Sequence, residues 1–223
     1  MPASEGYASG DLRGGRRKGM VRAALVVVWL CSAGAGLVWL MAYDNTPGMA
    51  ADAPARWPAE SALARNPDGP TLLMLAHPRC DCTRASIGEL AELLARAPRR
   101  PRTFVVFIRP GGVEGAWEHT GIWRQASRIP GVTVIRDDDG AEARRFRVYT
   151  SGQTLLYDRD GALAYSGGTT GARGKAGDNA GRSTLLELID GSQPRRAMLP
   201  VFGCSLFSWS KPQTKEQAAA DAY

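Results

Sequence analysis

The chain has 223 residues, room for one folded domain plus appendages. Its net charge is +6, from 28 Lys and Arg against 22 Asp and Glu. Much of that excess sits in Arg13, Arg16, Arg17, Lys18 and Arg22. A basic cluster confined to the N-terminus explains much of the positive balance without nucleic acid, so no nucleic-acid partner is expected.

Residues 1–20 form a basic tail rich in Gly, Ser and Arg, with no apolar periodicity, and are predicted to lack structure. Residues 23–43 read AALVVVWLCSAGAGLVWLMAY and carry no charge. About 20 apolar residues in a helix span a bilayer core, so a single-pass signal anchor is expected over 21–43. Trp29 and Trp39 suit the two membrane interfaces, and the basic cluster predicts a cytoplasmic N-terminus. The rest of the chain is then extracytoplasmic, in the periplasm or its equivalent. The competing reading is a cleavable signal peptide, whose apolar core of about 7–15 residues is shorter than this run. Cys31, within the apolar run, is read as a small apolar residue.

Residues 44–69 carry Pro47, Pro54, Pro58 and Pro67 and read as a stiff, extended linker. Trp57 is the one large aromatic there that can dock on a neighbouring domain. The folded domain is expected over 70–192. It opens with TLLMLA, a continuous apolar run of the kind found in strands buried on both faces. The loop HPRCDC follows. Ile87, Leu90, Leu93 and Leu94 then recur at helical spacing, with Asp81 or Thr83 as the predicted cap and Pro98 and Pro101 as the stop. TFVVFI at 103–108 is a second strand. Residues 116–128 have a helical pattern, with Trp117 and Trp123 as packing residues. Residues 132–135 form a third strand, 137–140 a turn and cap, and 141–146 a short helix. QTLLY and ALAY, joined by Asp158-Arg159-Asp160-Gly161, read as a hairpin. Residues 167–181 are Gly-rich and predicted to be mobile, 183–189 form a last helix, and 193–223 a tail. Strand–helix–strand–helix–strand, then hairpin and helix, makes an α/β domain: a central mixed sheet flanked by helices.

Cys80 and Cys82 lie where that first helix begins. A thiolate there is favoured by the helix dipole and free backbone N–H groups. Arg79 and Arg84 add to this and Asp81 opposes it. Cys80, nearer the loop tip and expected to be the more exposed, is assigned as the attacking sulfur, with Cys82 as the resolving thiol. A disulfide closed over one intervening residue is a small strained ring, and strain makes a disulfide more oxidising. Cys204, in the late VFGCSLF, has two readings: a buried apolar cysteine, or a third redox partner if the tail folds back. A separate reading takes His77, Cys80 and Cys82 as soft metal ligands for copper or zinc, with Cys204 completing the set. Without metal, no cofactor is expected. The Gly-rich stretch lacks the strand-then-helix, Lys-Ser/Thr context of a phosphate loop, and Asp137 to Asp139 lack calcium-loop spacing.

The strand TLLMLA, the loop HPRCDC, the helix TRASIGELAELLAR and the later AEARRFRVYTSGQTLLYDRDGALAYSGG together resemble the thioredoxin-like superfamily, over about residues 70–191. HPRCDCTRAS, IPGVTVIRDDDGAEARRF, GGTTGARGKAGDNAGR and VFGCSLF are similar to a group of bacterial membrane-associated proteins called RedB-like. The layout is similar to tethered thiol-disulfide oxidoreductases of the TlpA and ResA types. The resemblance implies a thioredoxin-like fold and thiol–disulfide exchange on protein thiols or disulfides of an extracytoplasmic or membrane partner. Two departures stand out. The spacing is Cys-x-Cys, and Gln153 stands at the position where thioredoxins carry a cis-proline, so a trans peptide is expected there.

Overall fold

The computed structural model describes residues 11–49, 52–113, 115–191 and 197–207. It divides into two compact units, 1–44 and 45–223.

In the first unit, helix α1 (Asp11–Asp44) runs through the apolar segment. The part from Arg17 to Asp44, 28 residues, is long and apolar enough to cross a membrane. Its large apolar side chains are open: Trp29 is 68% exposed and Trp39 is 70% exposed. Trp39 stacks on Tyr43. The helix begins within the basic stretch that was expected to lack structure. Once a long apolar helix has nucleated, each added residue costs little, and Arg and Lys are good helix formers.

The second unit is built on one six-stranded sheet. Its strands are β1 (Thr71–Ala76), β2 (Arg102–Arg109), β3 (Val132–Asp138), β4 (Gln153–Tyr157), β5 (Leu163–Gly167) and the short β6 (Ala197–Met198). The order across the sheet is β3-β2-β1-β4-β5-β6. β1 runs parallel to β2, and β2 parallel to β3. β4 is antiparallel to both β1 and β5. The helical crossovers make the first three strands parallel, and the tight turn at 158–161 makes β4 and β5 a hairpin. Asp158 carries that turn: its Oδ1 accepts from the N–H groups of Asp160 and Ala162. Gly161 takes the left-handed conformation (φ +77°) that glycine adopts freely.

All six residues of β1 are buried, as its apolar run predicted. Alternation along the strand sends Leu72, Met74 and Ala76 into one core and Leu73 and Leu75 into the other. The first core is closed by α2 (Asp81–Arg96), α3 (Gly121–Ser127) and α5 (Ala180–Asp190), through Ile87, Leu90, Ile122 and Leu185 among others. The second is closed by α4 (Ala141–Arg145), by Phe146 and Val148 just after it, and by Ala53 and Leu63. Each fully buried aliphatic side chain contributes about 2 kcal/mol, so the central strand is the most strongly committed element of the fold.

Several local expectations are corrected. The stretch expected as a linker lies on the domain: Trp57 packs edge-on against Phe146 (4.9 Å) and Tyr157 (5.2 Å), and Ala53 and Leu63 are buried. Its prolines keep it extended, and its few apolar residues find the open face of the sheet. The helix expected over 116–128 shrinks to α3, because Thr120 caps it by accepting from the Trp123 N–H. β3 runs on to Asp138, so Asp137 belongs to the strand, and it caps α4 by accepting from the N–H groups of Glu142 and Ala143.

The Gly-rich stretch is tied down as well. Thr169, Thr170 and Ala172 are buried. Glu89 of α2, only 3% exposed, accepts from the Gly177 N–H, the Asn179 amide and the Arg182 guanidinium. Gly181 sits so close to Gly168 that an added Cβ would lie 2.0 Å from the Gly168 carbonyl oxygen. Loss of Glu89 would leave the buried Arg182 guanidinium with the exposed Asp178 as its remaining ion partner, and breaking a buried pair costs about 3–5 kcal/mol. The substitution Glu89→Ala is therefore expected to lower unfolding stability by about 3 kcal/mol, read from the denaturant midpoint of the isolated second unit or the full chain.

Candidate functional site

β1 ends at Ala76, and residues 77–80 carry the chain from the sheet edge into α2. The loop is held from several sides. The His77 N–H donates to Ser151 Oγ (2.8 Å), and the Cys80 N–H donates to the His77 carbonyl (3.3 Å). The Thr120 hydroxyl donates to the Pro78 carbonyl (2.8 Å), so the cap of α3 also fixes the loop. Arg79 lays its guanidinium over the Trp117 ring at 4.6 Å, and Trp117 meets His77 edge-on. Residues 116–120, expected to be helical, instead wall the loop.

Cys80 is itself the N-cap of α2 and makes no side-chain capping bond. This corrects the expected cap. Asp81 is the first helical residue, and the Thr83 hydroxyl pairs with Ser151 Oγ at 2.6 Å. Cys80 is 3% exposed, Cys82 is half-buried and Cys204 is exposed. The expected order of exposure is thus reversed. The loop folds Cys80 inward beneath the chain's own C-terminal segment.

That segment supplies the third thiol. The Ser151 N–H donates to the Cys204 carbonyl (2.8 Å), the Leu206 N–H donates to the Tyr149 carbonyl (2.8 Å), and Thr150 and Ser205 form an antiparallel bridge. Leu206 is buried in the second core. At Gly203 an added Cβ would lie 2.0 Å from the Ser151 carbonyl oxygen, so no larger side chain fits this approach. The Arg173 guanidinium donates to the Gly203 carbonyl. The first residues of the unit brace the same place: the Gly48 N–H donates to the Val201 carbonyl (2.8 Å), and the Thr150 hydroxyl donates to the Met49 carbonyl (3.0 Å).

The result is a cluster in which the sulfurs of Cys80, Cys82 and Cys204 lie within 4.8 Å of one another. The Cys80 and Cys204 sulfurs are 2.6 Å apart. All three thiols are free. His77 is not a member of the cluster. Its Nδ1 accepts from the Arg79 N–H, and burial is the main cause that lowers its pKa, so the ring stays neutral at neutral pH.

The three thiols do not titrate alike. The Cys80 thiol is brought down from the ordinary thiol value, chiefly by its close contact with Cys204, against burial, with further help from Thr83. Cys204 is pushed strongly upward by the same contact and by burial, so the shared proton sits on Cys204. Cys82 is raised by burial and by the neighbouring Cys80 charge, with Arg173 acting the other way. Of the three thiols, Cys80 is the one whose surroundings favour the thiolate. The thiolate is the species that attacks disulfides and electrophiles. The sequence placed Cys80 and Cys82 correctly at the helix start. It did not reveal Arg173, which looked like part of a mobile loop, nor Ser151 and Thr83, whose hydroxyls anchor the cysteine loop.

Gln153 begins β4, opposite Leu75. Its peptide is trans, as expected, with no cis bond among the described residues. Its amide nitrogen donates to Ser166 Oγ (3.0 Å).

Three parallel strands, an antiparallel hairpin, and a cysteine where the central strand passes into a helix form the arrangement the sequence resemblance implied. The fold is thioredoxin-like. Within this thioredoxin-like domain, Cys80 occupies the helix N-cap. No family model matches the chain, and no curated protein matches it. Among solved structures, an uncharacterized conserved protein from Geobacillus kaustophilus is 17% identical, with 76% of this chain and 95% of that one covered and a TM-score of 0.51. A hypothetical protein from Sinorhizobium meliloti 1021 is 19% identical, covering 72% and 93%, at 0.48. A secreted disulfide oxidoreductase from Mycobacterium tuberculosis is 17% identical, covering 55% and 81%, at 0.38.

The ionisation of Cys80 gives a direct prediction. The rate of its carbamidomethylation by iodoacetamide in the reduced protein should be flat near neutrality and fall in acid, with a midpoint below the ordinary thiol range. Cys204→Ala removes the main hydrogen bond to the thiolate, and the midpoint should move upward. An unshifted midpoint would assign the ionisation to the helix N-terminus instead.

Proposed function

We propose that the protein is a membrane-anchored, extracytoplasmic thiol–disulfide oxidoreductase with Cys80 as its attacking sulfur. One observation carries this reading: a buried cysteine at the N-cap of α2 whose sulfur lies 2.6 Å from the sulfur of a second cysteine, Cys204. In the exchange, the Cys80 thiolate attacks one sulfur of a partner disulfide. The S–S bond of the partner breaks, one partner sulfur leaves as a thiolate, and a mixed disulfide forms with Cys80. A second thiol of the protein then displaces the partner from Cys80. The partner gains two electrons, and the protein holds them no longer until a dithiol donor restores it. Run backwards, the same steps oxidise a partner dithiol. Protein disulfides at or near the membrane are the natural substrates, because an anchor raises the effective concentration of the domain for partners held there.

The apolar part of α1 and the basic residues in its first turns support an N-in, single-pass orientation, with the thioredoxin-like domain on the side where disulfides persist. The RedB-like resemblance of HPRCDCTRAS and VFGCSLF is consistent with this placement, since both segments meet at the three-thiol cluster. The test uses full-length protein in detergent micelles. With dithiothreitol as donor, it should accelerate reduction of insulin disulfides, and Cys80→Ser should lower that acceleration by about two orders of magnitude or more. Wild-type rates in Cys80→Ser would contradict the reading.

A second reading is favoured by the same cluster. Three sulfurs within 4.8 Å of one another offer a soft, three-coordinate set that suits Cu(I) better than the four-coordinate preference of structural zinc. His77, which the sequence suggested as a fourth donor, is outside the set. Reduced protein purified with one copper per chain, lost on Cys204→Ser, would favour metal handling. Metal-free protein with active thiols favours exchange.

A further inference from the structure

With Cys80 as the attacking sulfur, two thiols compete to close the disulfide on it. Cys82 is the neighbour in sequence, but it lies in the first turn of α2 while Cys80 caps the helix with extended backbone (φ −104°, ψ 117°). The Cys82 sulfur is also within 4.8 Å of the Cys80 sulfur, but a disulfide closed over one intervening residue is a small strained ring. Closing Cys80 onto Cys82 means distorting the first turn, where the Thr83 N–H to Cys80 carbonyl bond (2.9 Å) starts the helix.

Cys204 needs no such movement. It lies 124 residues away in sequence, yet its sulfur is 2.6 Å from that of Cys80. The strand that bears it is pinned on both sides of the cysteine. The Cys204 carbonyl accepts from the Ser151 N–H, the Leu206 N–H donates to the Tyr149 carbonyl, the Gly203 carbonyl accepts from Arg173, and the Leu206 side chain is 1% exposed. Main-chain bonds on both sides of the isolated Thr150–Ser205 bridge hold the segment and deliver one side chain to a fixed point.

We propose that Cys204 is the resolving thiol of the exchange reaction, presented to Cys80 by the self-docked strand 203–206, and that Cys82 does not close the disulfide. The proposal rests on the reading of Cys80 as nucleophile. The Cys80 thiolate attacks a partner disulfide and becomes a mixed disulfide, releasing one partner thiolate. Cys80 no longer carries charge, so the contact that kept the proton on Cys204 is gone, while the Arg173 guanidinium still favours a thiolate there. Cys204 gives its proton to solvent or to the departing partner thiolate. Its sulfur then attacks Cys80, forming the Cys80–Cys204 bond and breaking the bond to the partner, which leaves as a second thiolate. Because Cys80 is 3% exposed, the incoming disulfide displaces the Cys204 side chain, and the return of that side chain expels the partner.

The test uses reduced full-length protein in detergent micelles, with glutathione disulfide as the probe and peptide mass mapping of acid-quenched samples as the readout. Wild type should pass through a short-lived glutathione adduct on Cys80. In Cys204→Ser that adduct should persist at least tenfold longer, and in Cys82→Ser its lifetime should match wild type. Serine is close in size to cysteine, and the thermal melts of both reduced variants are compared with wild type to confirm the fold. An adduct lifetime in Cys204→Ser less than ten times that of wild type, or a persistent adduct in Cys82→Ser, overturns the proposal while leaving Cys80 as nucleophile. No adduct on Cys80 in any form overturns the reading of Cys80 itself.

Discussion

The chemistry of the site depends on two backbone hydrogen bonds, Ser151 N–H to the Cys204 carbonyl and Leu206 N–H to the Tyr149 carbonyl. They fasten the C-terminal segment to the turn that precedes β4, and so fix where the Cys204 sulfur stands. Without them Cys80 would be an ordinary helix-cap cysteine, open on one side. With them it is buried and in contact with a second thiol that lowers its pKa. A contact between residues 124 apart sets the reactivity of a group whose own loop is only a few residues long.

That contact can form only because the rest of the domain prepares both surfaces. β1 is buried between β2 and β4, which fixes the end of the strand and hence the start of α2. Ser151 serves two elements at once, accepting from the His77 N–H on one side and pairing with Thr83 on the other. Gly203 provides the missing side chain that close approach to Ser151 requires, and Arg173 reaches from the Gly-rich stretch to hold the Gly203 carbonyl. The Gly-rich stretch is in turn fixed by Glu89 of α2, so the helix that carries the reactive cysteine also steadies the residue that clamps its partner.

Much of this architecture was legible in the sequence. The apolar run TLLMLA, the heptad-like spacing of Ile87, Leu90 and Leu94, and the Asp-Gly turn each report a local preference that the fold keeps. The Gln153 peptide is trans, as expected without proline. What was not legible depends on long-range packing. Nothing local distinguishes a mobile glycine stretch from one held by a buried glutamate on another helix. Nothing in residues 116–120 announces that Thr120 will cap late because its hydroxyl also binds Pro78. The exposure of Cys80 was misjudged for the same reason, since a loop tip is open only if no other segment lies across it. VFGCSLF did offer a sign: a cysteine among small and apolar residues far from the reactive loop, with a glycine beside it.

The central claim is that the C-terminal segment closes over Cys80 by pairing with residues 149–151. Amide hydrogen exchange of the reduced protein measures that pairing directly, because the Ser151 and Leu206 amides are bonded only if the strand is docked. The account predicts that both exchange slowly, in the range of the amides that join β1 to β4. Exchange of both at the rate of an unstructured peptide would contradict it.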